Sequence, residues 1–331
     1  MAAAAEKVAA TKILMLPWLA HGHITPFFEL AKRLAKKEFQ IYICSSPINL
    51  QSIKPKLSKT DSKIQLVDLH IPASPELPAH MHTTKGIPLH LESGLIRACD
   101  AAAPDFEDLL DKLEPDLVVS DLFQPWAVRA AVARNIPVVN FVVTGVAVLT
   151  RLAHAFFSAG EEFPFPELDL SDHWISSSRR KTSDELGRDC AMRLLNCVKQ
   201  SSSVILANTF VEFEGKYIDY FASSLKKKVL PVAPLVQRVN ADNEKPEIVS
   251  WLDKKNPKST VYVSFGSEYY LTKSDREELA HGLEQSGANF IWVIRFPKGE
   301  QYGRLYEEEL NVEEGHWWCA YEEEAPAEME D

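Results

Sequence analysis

Short apolar runs alternate with helical patterns through most of this chain of 331 residues. The strand-like runs are rich in β-branched residues and lie at 13–16, 40–44, 64–69, 117–120, 138–142, 203–207 and 229–232. Helical patterns separate them, at about 26–37, 89–112, 124–134, 145–159, 184–200 and 211–225. Continuous apolar strands are typical of parallel sheets that are buried on both faces. The order therefore predicts an α/β fold with a doubly wound parallel sheet.

A polar, turn-rich segment at 236–258 interrupts this pattern and is predicted to be an interdomain linker. Residues 1–235 would then form a complete Rossmann-like N-terminal domain. One further βαβ unit is expected within 259–299, with strands at 260–265 and 289–295 and a helix at 274–284. It would be a partial second Rossmann-like domain.

The net charge of −11 comes from the last 32 residues, because 300–331 hold twelve acidic residues and one Arg. This acidic tail is predicted to be poorly ordered. Trp317 and Trp318 are unusual in such a segment, because large aromatic side chains favour packing. The remaining residues balance at 35 acidic and 35 basic, which excludes the basic face of a nucleic-acid binder.

The five cysteines include no Cys-x-x-Cys pair, which argues against a disulfide framework or a zinc knuckle. The sequence contains no run that could cross a bilayer and no signal peptide, so we expect a cytoplasmic protein without an integral membrane segment. We also expect it to be a monomer.

The loop 17–26, between the first strand and the first helix, carries His21 and His23. Open α/β sheets bind ligands at this edge, and the loop lacks the Gly-x-Gly-x-x-Gly fingerprint of dinucleotide binders. Thr25 is a candidate helix cap and Pro26 a suitable first helical residue. His23 would then lie just before the helix and could accept a proton from a hydroxyl group.

A histidine base needs a third group that fixes its tautomer, and Asp121 is the best-placed carboxylate. It ends the strand 117–120, whose carboxyl end faces the same side of the sheet as His23, whereas Asp116 lies at the opposite end. An alternative stays open, in which His23 bonds to backbone and Asp121 caps the next helix. His21 is more simply interpreted as structural.

Three further features invite functional interpretations. Gly266-Ser267 follows a predicted strand and could offer N–H groups and a hydroxyl to a phosphate. The Pro-rich loop that holds His80, His82 and His90 has few carboxylates nearby, so we expect loop or pocket-lining roles and no metal. The apolar run 142–149, with Phe156 and Phe157, could line a pocket, but core packing is the favoured interpretation.

Four stretches resemble signatures of plant UDP-sugar-dependent glycosyltransferases that modify small metabolites. They lie at 17–34 (PWLAHGHITPFFELAKRL), 115–127 (PDLVVSDLFQPWA), 207–214 (ANTFVEFE) and 251–268, which contains STVYVSFGSE. The stretch 77–91 (LPAHMHTTKGIPLHL) is similar to the branch that extends sugars on flavonoid or terpenoid glycosides. The likeness covers about residues 11–298.

The resemblance implies a GT-B architecture, with an acceptor-binding N-terminal domain and a donor-binding C-terminal domain. It also implies that His23 deprotonates the acceptor and Asp121 assists it, with inversion at the sugar and without metal or cofactor. Thr144 and Ser267 match donor-binding positions. We assign His80, His82 and Phe123 to the acceptor pocket. The UDP-sugar is a co-substrate, with glucose the expected sugar, and the other partner is a small-molecule acceptor.

The chain departs from the family after the βαβ unit. It lacks the donor signature with Trp-Ala-Pro-Gln and His-Cys-Gly-Trp-Asn-Ser, which the resemblance associates with binding of the UDP-sugar. We therefore expect a C-terminally truncated family member whose turnover is doubtful. The alternative is a non-catalytic small-molecule-binding fragment or a degenerate copy of such an enzyme.

Overall fold

The computed structural model describes residues 10–58, 61–158, 160–168, 180–232, 235–236, 247–266, 270–294 and 317–321. Only the backbone is described at 89, 180–188 and 317–321. The chain divides into two compact units, Met1–Gln237 and Arg238–Asp331. The sequence pattern predicts that the N-terminal domain ends at residue 235, and the functional roles of the domains stay predictions.

The first unit is built on a parallel sheet of seven strands in the order β3-β2-β1-β4-β5-β6-β7. The strands are β1 Lys12–Leu16, β2 Gln40–Ser45, β3 Ile64–Asp68, β4 Leu117–Ser120, β5 Val138–Val142, β6 Val204–Ala207 and β7 Lys228–Pro231. Every neighbouring pair runs parallel. The strand order reverses between β1 and β4, which is where open α/β sheets place their ligands. The predicted α/β fold is confirmed.

Both faces of this sheet are buried, as the continuous apolar runs predict. Along β1, Ile13 and Met15 contribute to one hydrophobic core and Leu14 and Leu16 to the other. Successive side chains of a strand point to opposite faces, so one strand supplies both cores. This arrangement requires helices on both sides of the sheet.

Eight helices accompany the sheet in the described part of the first unit. They are α1 His21–Ala35, α2 Pro47–Ile53, α3 Glu92–Asp100, α4 Ala103–Leu113, α5 Pro125–Ala133, α6 Val146–Phe157, α7 Arg180–Gln200 and α8 Val211–Leu225. Phe27, Phe28 and Leu30 of α1 pack into the core that contains Met15. Among the described residues, no helix combines the length and apolar character needed to cross a bilayer.

Helix α1 begins earlier than predicted, so the expected cap at Thr25 and first helical position at Pro26 are wrong. Ala20 is extended and its carbonyl accepts hydrogen bonds from the N–H groups of His23 and Ile24, both at 2.9 Å. Pro26 therefore lies in the second turn, where it has no N–H for the carbonyl of Gly22. His23 stands in the first turn of the helix rather than before it.

The predicted helix at 89–112 is two helices, α3 and α4, separated by Ala101 and Ala102. Pro104 accounts for the break, since it has no N–H to donate to the carbonyl of Asp100. Helix α2 was not predicted, because a segment of only seven residues shows little periodicity.

The second unit contains α9 Glu247–Leu252, β8 Thr260–Ser264, α10 Lys273–Gln285, β9 Asn289–Ile294 and β10 Trp317–Tyr321. Its three strands are parallel, in the order β10-β9-β8. Strand β10 lies in the tail 300–331. The sequence predicted that this tail is poorly ordered, whereas the structure has a paired strand there. Its sequence, WWCAY, is uncharged and rich in aromatic residues, which favours a strand within an acidic segment. The other residues of the tail lie outside the described residues.

Candidate functional site

The structure brings His23 and Asp121 into direct contact. Nδ1 of His23 lies 2.7 Å from Oδ2 of Asp121, although the residues are 98 positions apart in the sequence. Asp121 directly follows β4 and His23 lies in the first turn of α1, after β1. Since β1 and β4 are adjacent and parallel, their carboxyl ends meet at the point where the strand order reverses. Asp116 accepts a hydrogen bond from the N–H of Lys12 at the opposite end of β4.

The Asp121 carboxylate is buried and held by backbone donors. Its Oδ2 also accepts from the N–H of Trp18 at 3.0 Å, and its Oδ1 accepts from the N–H of Leu122 at 2.7 Å. The residue is 1% exposed. A buried carboxylate with charge-assisted hydrogen bonds from three donors is held in one orientation, which in turn orients the imidazole of His23.

The contact determines which ring nitrogen of His23 can serve as a base. An ionised carboxylate only accepts hydrogen bonds, so Nδ1 of His23 carries the proton that lies between the two groups. Nε2 is then the nitrogen that could accept a proton, and the carboxylate would stabilise the resulting imidazolium. The side chain of His23 is 16% exposed, so its ring is partly accessible.

A cavity of about 200 Å³ lies against this pair. Its lining includes His23, Asp121 and Thr144 as polar residues, together with Cys190. The apolar residues of the wall are Leu122, Phe123, Val143, Val148, Leu149, Leu152, Ala191 and Leu194. Such a composition, a mostly apolar wall with a few convergent polar groups, is typical of small-molecule sites.

Aromatic contacts connect the cavity to the loop after β1. The ring of Phe123 packs on Trp18 at 5.3 Å and meets His23 edge-on at 5.7 Å, measured between ring centroids. Phe123 therefore supports His23 while it forms part of the cavity wall.

The apolar run 142–149 serves both of the purposes that its sequence allows. Val142 and Val146 are buried in the core, whereas Val143, Val148 and Leu149 line the cavity. Leu149 does both, since it also belongs to the core.

The remaining candidates lie in several places. His82 is buried, and its carbonyl accepts hydrogen bonds from Oγ of Ser46 and Nδ2 of Asn49. Burial lowers the pKa of His82, an effect that a hydrogen bond with the Leu77 backbone opposes. His80 is exposed and His21 is the first residue of α1. Neither of these nor His82 is among the lining residues of the cavity, and Ser267 lies outside the described residues.

Within the ranges that the structure describes, no group of three or more His, Cys, Asp or Glu side chains could hold a metal ion. Cys44, Cys99, Cys190 and Cys197 are free thiols.

The chain was compared with known proteins. Residues 7–237 match the family model described as "Glycosyltransferase, N-terminal domain". Mogroside IIIx synthase of Siraitia grosvenorii is 49% identical over 303 residues, covering 90% of this chain and 64% of the relative. UDP-glucosyltransferase 29 of Panax ginseng is 45% identical over 302 residues, covering 89% of this chain and 66% of the relative. This chain belongs to the plant UDP-dependent glycosyltransferases. The family predicted from the sequence motifs is thereby confirmed.

Solved glycosyltransferases have the same fold. The structure of Glycyrrhiza uralensis UGT73P12, complexed with glycyrrhetinic acid 3-O-monoglucuronide, matches with a TM-score of 0.77 at 24% identity, over 95% of this chain and 69% of that one. Arabidopsis thaliana UGT89C1 complexed with quercetin matches with a TM-score of 0.69 at 18% identity, over 96% and 70% of the two chains. This glycosyltransferase chain spans about two thirds of the length of the curated relatives it matches.

Two residues that the sequence analysis did not single out support the cavity of this glycosyltransferase. Arg193 of α7 donates to both carboxylate oxygens of Asp100, at 2.8 and 2.6 Å, and to the carbonyl of Phe123 at 3.4 Å. Glu214 of α8 binds the start of α6, which forms one wall. Glu214 ends the family-like stretch 207–214, whereas no local pattern marks Arg193.

Proposed function

We propose that this glycosyltransferase chain binds a hydroxylated plant metabolite, or its glycoside, in the cavity beside His23. In the proposed reaction, Nε2 of His23 takes the proton of the acceptor hydroxyl. The acceptor oxygen attacks the anomeric carbon of a UDP-sugar, the bond to UDP breaks, and configuration at that carbon is inverted. The sugar is proposed to be glucose.

This proposal rests on the 2.7 Å contact between His23 and Asp121, which both line an apolar cavity. General base catalysis by a positioned histidine contributes about 10²–10⁴-fold to a reaction rate. Asp121 would hold the proton on Nδ1 and offset the charge of the imidazolium. A hydrophobic cavity would hold the apolar body of the acceptor and leave its hydroxyl beside the imidazole.

Relatives support the acceptor class. A protein of Gardenia jasminoides that is 45% identical over 295 residues is named beta-D-glucosyl crocetin beta-1,6-glucosyltransferase, and this chain covers 66% of it. The names of this relative and of mogroside IIIx synthase refer to glycosides of plant metabolites. We infer that a glycoside is the better acceptor to test first.

Thr144, in the cavity wall, is proposed to contact the donor sugar, and Ser267 is proposed to contact its diphosphate. The cytoplasmic location and the monomeric state stay predictions.

Separate titrations of acceptor and donor test this function. A flavonoid glucoside and UDP-glucose would each be titrated into the chain by calorimetry, and transfer would be followed by chromatography of the product. The account predicts acceptor binding and, where UDP-glucose also binds, transfer that His23→Ala abolishes. The anomeric configuration of the product, read by NMR, reports inversion. Acceptor binding without donor binding would contradict the proposed enzymatic activity and favour a non-catalytic small-molecule-binding protein. Transfer that survives in His23→Ala would remove His23 from the role of base.

A further inference from the structure

Glu214 is a buried carboxylate outside the His23 site. It lies in the first turn of α8 and is 5% exposed. Its backbone, at φ −125° and ψ 16°, departs from helical geometry and interrupts the helix at this residue. Buried carboxylates are rare unless they are paired or hydrogen-bonded, so the partners of Glu214 define its role.

Those partners are the first two N–H groups of α6. Oε2 of Glu214 accepts from the N–H of Val146 at 3.1 Å, and Oε1 accepts from the N–H of Ala147 at 3.0 Å. The first N–H groups of a helix have no partner within the helix, and Gly145 at the N-cap has no side chain to offer. Glu214 therefore caps α6 from another helix, and its negative charge also favours the positive end of the helix dipole.

Gly145 makes room for this cap. A Cβ atom at residue 145 would lie 3.1 Å from Oε1 of Glu214. The backbone of Gly145, at φ −59° and ψ 134°, suits any residue. A side chain at residue 145 would crowd Oε1 of Glu214, so glycine is favoured here for space and not for its conformational freedom.

The capped end of α6 is also a wall of the cavity. Thr144 directly precedes Gly145 and lines the cavity, as do Val148 and Leu149 of the first turns of α6. Any shift in the start of α6 would move these three residues relative to His23.

We propose that Glu214 is a positioning residue for the substrate cavity. It binds the first two N–H groups of α6 without being among the lining residues of the cavity, and so holds Thr144 and the apolar wall in register with the imidazole of His23. Its effect on ligand binding rests on the function proposed above, whereas its effect on α6 does not.

Hydrogen exchange and ligand titration of the same variants test this role. Glu214→Gln removes the charge and one of the two acceptor oxygens at nearly constant volume. Glu212→Gln is the matched control, because Glu212 lies in the same turn of α8 and is exposed. Amide exchange would be measured by mass spectrometry over residues 143–152 and over α5 as an internal reference. A flavonoid glucoside would serve as the binding probe.

For Glu214→Gln we expect faster exchange at 143–152 and unchanged exchange in α5. Probe affinity should weaken by about tenfold, because the loosened wall must be reordered when the probe binds. Glu212→Gln should behave as wild type. Gly145→Ala, which crowds Oε1, should reproduce the local change in exchange with the carboxylate still present.

Unchanged exchange at 143–152 in both Glu214→Gln and Gly145→Ala would overturn the proposal, and so would faster exchange with unchanged probe affinity. If the wild-type chain does not bind the probe, the proposed function fails, and the exchange data alone decide whether Glu214 holds the start of α6.

Discussion

Nδ1 of His23 and Oδ2 of Asp121 lie 2.7 Å apart, at the carboxyl ends of two adjacent parallel strands. The same carboxylate accepts hydrogen bonds from the N–H groups of Trp18 and Leu122. Asp121 thus fixes the loop after β1 through Trp18 and orients the imidazole of His23 with the same carboxylate. Replacing it should affect both stability and chemistry.

Asp121→Asn should lower the free energy of unfolding by about 1.5–3 kcal/mol, the range for hydrogen bonds to a charged group. An amide has one acceptor oxygen, so it cannot satisfy the three donors that the carboxylate satisfies. Urea denaturation measures the loss. The control is Asp116→Asn, since Asp116 is exposed and binds the N–H of Lys12 at the other end of β4. Equal losses in the two variants would contradict a special role for Asp121.

Lys227 directly precedes β7, and its side chain binds the C-terminal end of α7 and the two residues after it. Its ammonium donates to the carbonyls of Ser201 and Ser202, both at 2.8 Å, and to that of Val198. Burial lowers its pKa. Lys227→Met would leave these carbonyls without that donor and should cost about 1–3 kcal/mol of unfolding free energy. Lys228→Met, at an exposed position of β7, should cost less. If both variants have the same urea midpoint, the hydrogen bonds of the Lys227 ammonium do not stabilise the fold.

The strands of the sheet were predictable to within one or two residues, because each contributes a short, largely apolar run. The run is continuous in central strands such as β1, β4 and β5, which are buried on both faces. The start of α1 was not predictable. Pro26 looks like a first helical residue, and only the extended backbone of Ala20 shows that the helix begins at His21. Strand β10 was hidden by the acidic residues that surround it in the sequence.

The contact between His23 and Asp121 was one of two possibilities that the sequence left open, because a parallel sheet places both strand ends at one edge. That β1 and β4 are neighbours is shown by the strand order. Arg193 could not be placed in the same way. Its partner Asp100 is 93 residues away on another helix, and the rotation of one helix against another depends on tertiary packing. The space that Gly145 leaves for Glu214 depends on tertiary contacts for the same reason.

A pH-dependent contribution to stability is expected at Glu167. The hydrogen bond from Lys216 lowers the pKa of Glu167 to about 2 from its ordinary 4.5, with further help from its backbone and Tyr217. Between these values the unfolded chain binds the proton more readily than the folded chain. The stabilisation is therefore complete above pH 4.5. It is lost as the pH falls toward 2.

The comparison of wild type with Glu167→Gln in urea, from neutral to acidic pH, measures this contribution. The wild type should have the higher midpoint near neutrality, and the difference should shrink with acidification. The same difference should be smaller when Lys216→Met is the background, since only the contributions of the backbone and Tyr217 then remain. A difference that grows as the pH falls would contradict the assignment.

Cysteine reactivity reports on the cavity. Burial raises the pKa of the thiols of Cys44, Cys99 and Cys197, so these groups should resist alkylation in the folded protein. Cys190 is only partly buried and lines the cavity. In a Cys319→Ser background, N-ethylmaleimide should therefore modify Cys190 first, as read by mass spectrometry of peptides.

A bound acceptor should slow that modification. A flavonoid glucoside at saturating concentration is expected to protect Cys190 and to leave the reaction of the unfolded chain in urea unchanged. Modification of Cys190 at the same rate with and without ligand would place the acceptor elsewhere.

The tautomer of His23 can be measured without turnover, and it shows whether Asp121 holds the proton on Nδ1. Two-bond ¹H–¹⁵N correlation spectra of the histidine-labelled chain, assigned with His23→Gln, report which ring nitrogen carries the proton at alkaline pH. The account predicts that Nδ1 is protonated and Nε2 is not, and that Asp121→Asn changes this preference. A neutral His23 with its proton on Nε2 would contradict the claim that Asp121 prepares Nε2 of His23 as the base.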